Sequence, residues 1–266
     1  MREDLLKEVK GLLLDLDGTL YTNAGPIEGA PEVLRRISES GIPYRYLTNA
    51  THKSRREVTA DLREMGFSAE EKQILTPATA IVGCLREEKA GCHALVNESL
   101  LEDLEGVRTT DDSPGYVLVG NLGDGFTYVR LNEAFRHLMA GAGLISLLEN
   151  RYWQAADGAF NLDAGPFVAA LEYASGKKAQ CVGKPSSAFY ERAVEDLGLS
   201  SGEVAMIGDD LQLDVAGAQA AGIIGVLVES GRPRPEDPSV RPDLVLKSVA
   251  QLPEALGLLG SGAVHS

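Results

Sequence analysis

Cysteine, tryptophan and positive charge are all scarce in this sequence. Its three cysteines, Cys84, Cys92 and Cys181, are odd in number and lack CxxC spacing, which argues against a disulfide framework or a zinc knuckle and fits a reducing cytoplasm. Lysine and arginine total 25 against 39 aspartates and glutamates, a formal net charge of −14. That balance opposes attraction to nucleic acid or to an anionic membrane, both of which need clustered basic side chains. No apolar run approaches the length of a membrane span, and residues 1–10 are charged and helix-like, without the apolar core of a signal peptide. Neither secretion nor membrane insertion is expected. Internal repeats and long low-complexity tracts are missing too. Net acidity does not exclude phosphate chemistry, because a metal ion, a lysine and backbone N–H groups reverse the potential inside one pocket.

What is present is a chain of 266 residues, 44% of them hydrophobic, long enough for a sizeable core and a second module. Short apolar runs alternate with segments of helical period, the pattern of an α/β fold with a mostly parallel sheet. Residues 11–14 read as a buried central strand that delivers Asp15 and Asp17 to its carboxyl end, the edge where open α/β sheets bind ligands. A helix over 32–40 stops at Gly41, a strand over 43–47 ends in Thr48-Asn49, and a helix over 54–65 closes at Gly66. The pattern restarts after Thr76-Pro77 with a helix to residue 89, strands over 93–96, 116–119 and 144–148, and helices over 131–139 and 167–174. A helix from Pro185 or Ser186 to Gly198, a strand over 204–207 ending in Gly208-Asp209-Asp210, and a strand over 222–228 complete the reading. Arg232 to Pro235 is a predicted loop and residues 260–266 a predicted frayed tail.

Two carboxylates at the end of one strand, two residues apart, share a face and divide the labour of phosphoryl transfer. One attacks phosphorus, and the other protonates the leaving oxygen and then activates water. Gly18 permits the sharp exit this needs. A DxDGT run alone is also readable as a loop with an Asx-turn. Asp209, Asp210 and Asp214 form a second acidic cluster of hard oxygen ligands suited to Mg²⁺, although a turn and a capped helix would also explain that segment. Lys184 follows an apolar segment and precedes a helix, from where its ammonium would neutralise carboxylate and phosphate charge. Thr48 and Asn49 offer a hydroxyl and an amide to phosphate, or equally a helix cap. The discriminating feature is the combination, each member following an apolar strand. His52, His93, His137 and His265 lack metal-ligand spacing and are read as surface or satisfied core histidines.

With Asp15-Leu16-Asp17-Gly18-Thr19, Thr48-Asn49, Lys184 and Gly208-Asp209-Asp210-Leu211-Gln212-Leu213-Asp214 in this order, the sequence resembles the haloacid dehalogenase superfamily of aspartyl-phosphate phosphatases. The resemblance implies Asp15 as nucleophile, Asp17 as general acid and base, and Thr48 and Lys184 as phosphate and charge anchors. It further implies Mg²⁺ held by Asp15, the Asp17 backbone carbonyl and Asp209. Asn49 would position substrate or nucleophile, and Asp210 and Asp214 would stand behind the ligands and hold Lys184. Asp17 favours a phosphatase over a dehalogenase, which needs no acid for a leaving group there.

The interval between Asn49 and Lys184 leaves room for an inserted domain, as in NagD-like and p-nitrophenylphosphatase-like proteins. The implied architecture is a Rossmann-like parallel-sheet core, residues 1–77 and 182–266, with a second, smaller α/β cap domain, residues 78–181. The segments over 162–174 and 182–186 look like the branch of phospholysine phosphohistidine inorganic pyrophosphate phosphatases and their relatives. In the cap, Arg151 and Trp153 precede a predicted turn at Asp157-Gly158 and by resemblance lie near the loop that screens substrates. Trp153 is alternatively a packing residue or a contact in a cap-to-cap homodimer. A small phosphorylated substrate is the implied partner. A phospho-acceptor module is a second reading, although receivers place the acid pair before a single acceptor on a later strand, and a catalytically weak binding protein is a third.

Overall fold

The structure, a computed structural model, describes residues 5–155, 157–231 and 237–258. The predicted loop at Arg232 to Pro235, the tail over 260–266 and the first residues of the 1–10 segment lie outside the described residues. Contacts group the chain into two compact units, Met1–Thr48, Thr59–Ile74 and Tyr190–Ser266 forming the first, Asn49–Val58 and Leu75–Phe189 the second. No helix among the described residues is long and apolar enough to cross a membrane.

The first unit is built on a six-stranded sheet ordered Leu244–Leu246, Ile224–Val228, Val204–Gly208, Gly11–Asp15, Tyr44–Leu47 and Ile74–Leu75. Gly11–Asp15 pairs in parallel with Val204–Gly208 on one side and Tyr44–Leu47 on the other. Both Gly11–Asp15 and Val204–Gly208 are buried throughout, which is why they read as unbroken apolar runs rather than alternating ones. Helix Ala30–Ser40 buries Ala30, Val33, Leu34 and Ile37, one face at helical spacing, and ends where Gly41 turns left-handed. The register sets Leu14 beside Ile207 and Asp15 beside Leu47, so three carboxyl ends come level: Asp15, the Gly208-Asp209 step and Thr48.

The second unit has its own four-stranded sheet, ordered Gln180–Cys181, Gly143–Ser146, Tyr116–Val119 and Cys92–Leu95, with every strand pair parallel. Alternate residues of its strands feed two separate cores. Leu118 and Ile145 join Ile81, Leu85 and Leu100 in one, while Val117, Val119 and Leu144 join Ala134, Leu138, Val168 and Leu171 in the other. Apolar packing thus covers both faces of the sheet, and Phe126 and Phe167 stack at 3.8 Å beside the second core.

The predicted helices and longer strands recur within a few residues. Among the described residues, seven short strands were not legible: Tyr21–Thr22 with Gly25–Pro26, Ile74–Leu75, Tyr152–Gln154 with Phe160–Leu162, Gln180–Cys181 and Leu244–Leu246. Two or three residues carry no measurable alternation, so nothing separates them from loop in the sequence. The turn at Asp157-Gly158 joins an antiparallel pair, Tyr152–Gln154 with Phe160–Leu162, in which Asp157 Oδ1 accepts from Ala159 N at 2.9 Å.

Candidate active site

Asp15 closes the central strand of the first unit and is buried, and Thr19 Oγ1 donates to its Oδ2 at 3.1 Å. Asp17 does not continue that strand. The chain folds back at once, with Leu20 N bonded to Leu16 O and Gly18 N to Tyr21 O, leaving Asp15 buried and Asp17 exposed. The strand ends at Asp15, so a tight turn and not strand alternation places Asp17. Tyr21, which sequence reasoning passed over, lies in the field of these acids. Burial first, and then the charges of Asp17, Asp15 and Asp61, push its phenol up and keep it protonated. No local motif marks it; only the turn brings it back.

The Gly208-Asp209-Asp210 step leads into a wide helical turn, Leu211–Ala216. Asp210 Oδ1 accepts from Gln212 N at 2.8 Å and Leu213 N at 2.9 Å, the work of a helix N-cap. Asp210 O accepts from both Asp214 N and Val215 N, the added residue of a π-type turn, a feature found often beside functional sites. That turn carries Asp214 back toward the strand ends, where its Oδ2 accepts from Asp210 N at 3.1 Å. Tyr190 Oη donates to Leu213 O and pins the same turn.

Carboxylate oxygens of Asp15, Asp209 and Asp214 all lie within 4.8 Å of one another, and all three residues are buried. Three glycines make the approach possible. A Cβ on Gly18 would lie 2.3 Å from Asp209 Oδ2, one on Gly231 2.0 Å from the same oxygen, and one on Gly208 2.3 Å from Asp214 Oδ2. Ser230 Oγ also donates to Gly18 O at 3.2 Å, fastening the first loop to the last. Two carboxylate charges within 4.8 Å repel by about 3 kcal/mol or more at an effective dielectric near 20. The hard oxygen donors of the set fit Mg²⁺. Thr48 is buried at the end of its strand, one residue beyond the Asp15–Leu47 pair.

The remaining predicted residues belong to the second unit. Asn49 grips the backbone of Lys184 from both sides, with Nδ2 donating to Lys184 O at 2.9 Å and Oδ1 accepting from Lys184 N at 2.8 Å. A Cβ on Gly183 would meet Asn49 Oδ1 at 2.8 Å, so glycine is needed there too. The Lys184 side chain is buried, which for an ammonium demands anionic company. Arg151 and Trp153 lie at the exposed hairpin, Trp153 47% exposed, so it is not a core packing residue. The reading of the histidines as satisfied or superficial needs correction at His93, which is buried with an Nε2 that has no hydrogen-bond partner among the described residues.

Residues 12–109 match the family model for haloacid dehalogenase-like hydrolase, and residues 181–252 match that for HAD-hydrolase-like proteins. The chain is 38% identical over 262 residues to the phospholysine phosphohistidine inorganic pyrophosphate phosphatase of Danio rerio, covering 95% of this chain and 96% of that protein. Its fold superposes on 4-nitrophenylphosphatase from Thermotoga maritima with a TM-score of 0.87 and 26% identity, covering 95% of this chain and 99% of that one. NagD from E. coli K-12 gives a TM-score of 0.83 at 26% identity, over 91% of this chain and 98% of that chain. The chain therefore belongs to the haloacid dehalogenase-like hydrolase family, and within it to the type that includes NagD and the p-nitrophenylphosphatases.

Proposed function

We propose that this chain is a Mg²⁺-dependent phosphatase that hydrolyses a small phosphorylated metabolite through an aspartyl-phosphate on Asp15. The observation that carries the reading is the buried group of Asp15, Asp209 and Asp214 at the carboxyl edge of the central strands, with Asp17 exposed two residues beyond Asp15. A carboxylate oxygen of Asp15 attacks phosphorus as the bond to the leaving group breaks, and Asp17 gives the departing oxygen, or the nitrogen of a phosphoramidate, its proton. Asp17, now a carboxylate, takes a proton from water. The water oxygen bonds to phosphorus, the Asp15–phosphorus bond breaks, and inorganic phosphate leaves with both aspartates restored. Asp15, Asp209 and the Asp17 carbonyl would hold Mg²⁺, with Asp214 behind them, and the bound ion would neutralise charge at the phosphoryl oxygens. Thr48 binds a phosphate oxygen, and Lys184 contributes the second positive charge.

In this reading residues 78–181 act as the cap, and their exposed hairpin with Arg151 and Trp153 selects the leaving group. The substrate class is a phosphate ester, a phosphoramidate or pyrophosphate, and the setting is the cytoplasm. A homodimer through the cap belongs to the same proposal; a monomer mass in solution would oppose it. Purified protein with Mg²⁺ should cleave an aryl phosphate, and Asp15→Asn should abolish turnover and the acid-stable phosphoprotein signal alike. Undiminished activity in that variant would remove Asp15 as nucleophile. Turnover insensitive to a chelator would remove the metal. A phosphometabolite screen including pyrophosphate and phosphoamino acids then ranks the substrates.

A further inference from the structure

His93, Asp111 and His137 are distant in sequence and meet within the second unit. His93 sits on strand Cys92–Leu95, and His137 in the last turn of helix Tyr128–Met139. Asp111 follows the Thr109 bridge to Cys92. One ligand atom from each of the three lies within 4.8 Å of the others. The two imidazoles stand 4.9 Å apart between centroids, and His93 Nδ1 is 2.7 Å from Asp111 Oδ1. His93 is 7% exposed, yet its Nε2 has no hydrogen-bond partner among the described residues. Buried polar atoms are nearly always paired, so His93 is not a satisfied core histidine.

We propose that His93, His137 and Asp111 form a zinc-binding site, with one nitrogen from each imidazole, one carboxylate oxygen and a water in the fourth position. Two imidazoles with one carboxylate are a zinc donor set, and Mg²⁺, which takes oxygen ligands and holds its waters, does not compete well for it. The site is chemically unlike the all-carboxylate group of Asp15, Asp209 and Asp214. Bonds of about 2.0–2.1 Å in a tetrahedron set donors roughly 3.3 Å apart. Atoms already within 4.8 Å reach that spacing by small rotations, and the Asp111 side chain, 88% exposed, has the room to move. Bound zinc would tie a strand, a loop and a helix of this unit together.

The test uses the full chain in excess Mg²⁺, so that the carboxylate group is already engaged, with Zn²⁺ as the probe. Calorimetry should give one zinc per chain. Of the four histidines, the ring signals of His93 and His137 should shift in nuclear magnetic resonance spectra while those of His52 and His265 stay. Asp111→Asn and His137→Gln, which spare the buried His93, should each weaken zinc binding at least tenfold and leave Mg²⁺-dependent turnover unchanged. Zinc should raise Tm in the parent and not in either variant. Binding unaltered in both variants, unmoved His93 and His137 signals, or binding lost in Asp209→Asn would each overturn the site. If His137→Gln fails to fold, Asp111→Asn at its exposed position decides the question.

Discussion

The α-carbon of Gly18 faces Asp209 so closely that a Cβ there would lie 2.3 Å from Asp209 Oδ2. The backbone at Gly18 has φ of 91°, so glycine is required twice over, once for conformation and once for the carboxylate beside it. Gly18→Ala should cost on the order of 1–2 kcal/mol for the left-handed backbone alone. It should also displace Asp209, so that kcat falls by about tenfold or more, a barrier rise of about 1.4 kcal/mol. Steady-state kinetics across a Mg²⁺ series checks this, with a raised Mg²⁺ requirement as the signature.

Asp15, Asp209 and Asp214 are buried within mutual reach, an arrangement that without a cation works against folding. Removing one charge should relieve it. Asp209→Asn is expected to raise the Tm of chelator-treated protein and to lower turnover at least a hundredfold, the opposite signs that mark a site kept for chemistry at a cost in stability. Mg²⁺ should raise the Tm of the parent and raise that of the variant less. Equal Tm values without metal would contradict the repulsion.

Asn49 spends its amide on the Lys184 backbone, with bonds of 2.9 and 2.8 Å. Asn49→Ala should therefore cost about 2 kcal/mol, roughly 1 kcal/mol for each bond. In kinetics it should act as a loss of Lys184 positioning: KM and the inhibition constant for inorganic phosphate rise, and the Mg²⁺ activation constant stays. Asn49→Asp keeps the acceptor for Lys184 N and sets a carboxylate against Lys184 O, so it should not restore the parent values.

The cysteines make a prediction about pH. Burial pushes the Cys92 thiol up to about 11, and burial with the nearby Glu149 does the same for Cys181, while Cys84 is exposed. At neutral pH a thiol reagent should modify Cys84 first, with the other two lagging until the chain opens. In the unfolded chain a thiol ionises near about 8.5. Above that value the unfolded state loses protons before the folded one, so stability should fall as pH rises toward 11. Urea midpoints between neutral pH and pH 10 test the sign, and Cys92→Ser should flatten the slope.

Much of this protein was determined by its sequence alone. The buried strands at Gly11–Asp15 and Val204–Gly208 are unbroken apolar runs ending in acid, and Pro31 and Gly41 bracket a helix by backbone constraint. Local chemistry fixes such features, so they are legible without a fold. Tertiary structure decided the rest. The strand register alone brings Asp15 level with the Gly208-Asp209 step, and the wide turn after Asp210 brings Asp214 back to them. Asn49 turned out to hold a backbone 135 residues away rather than standing only as a polar strand end. His93 and His137 show the same limit most plainly: a strand and a helix supply them, so no spacing in the sequence records that they meet. Periodicity reports how each segment presents its side chains, and only packing of those segments decides which side chains from distant segments share a site.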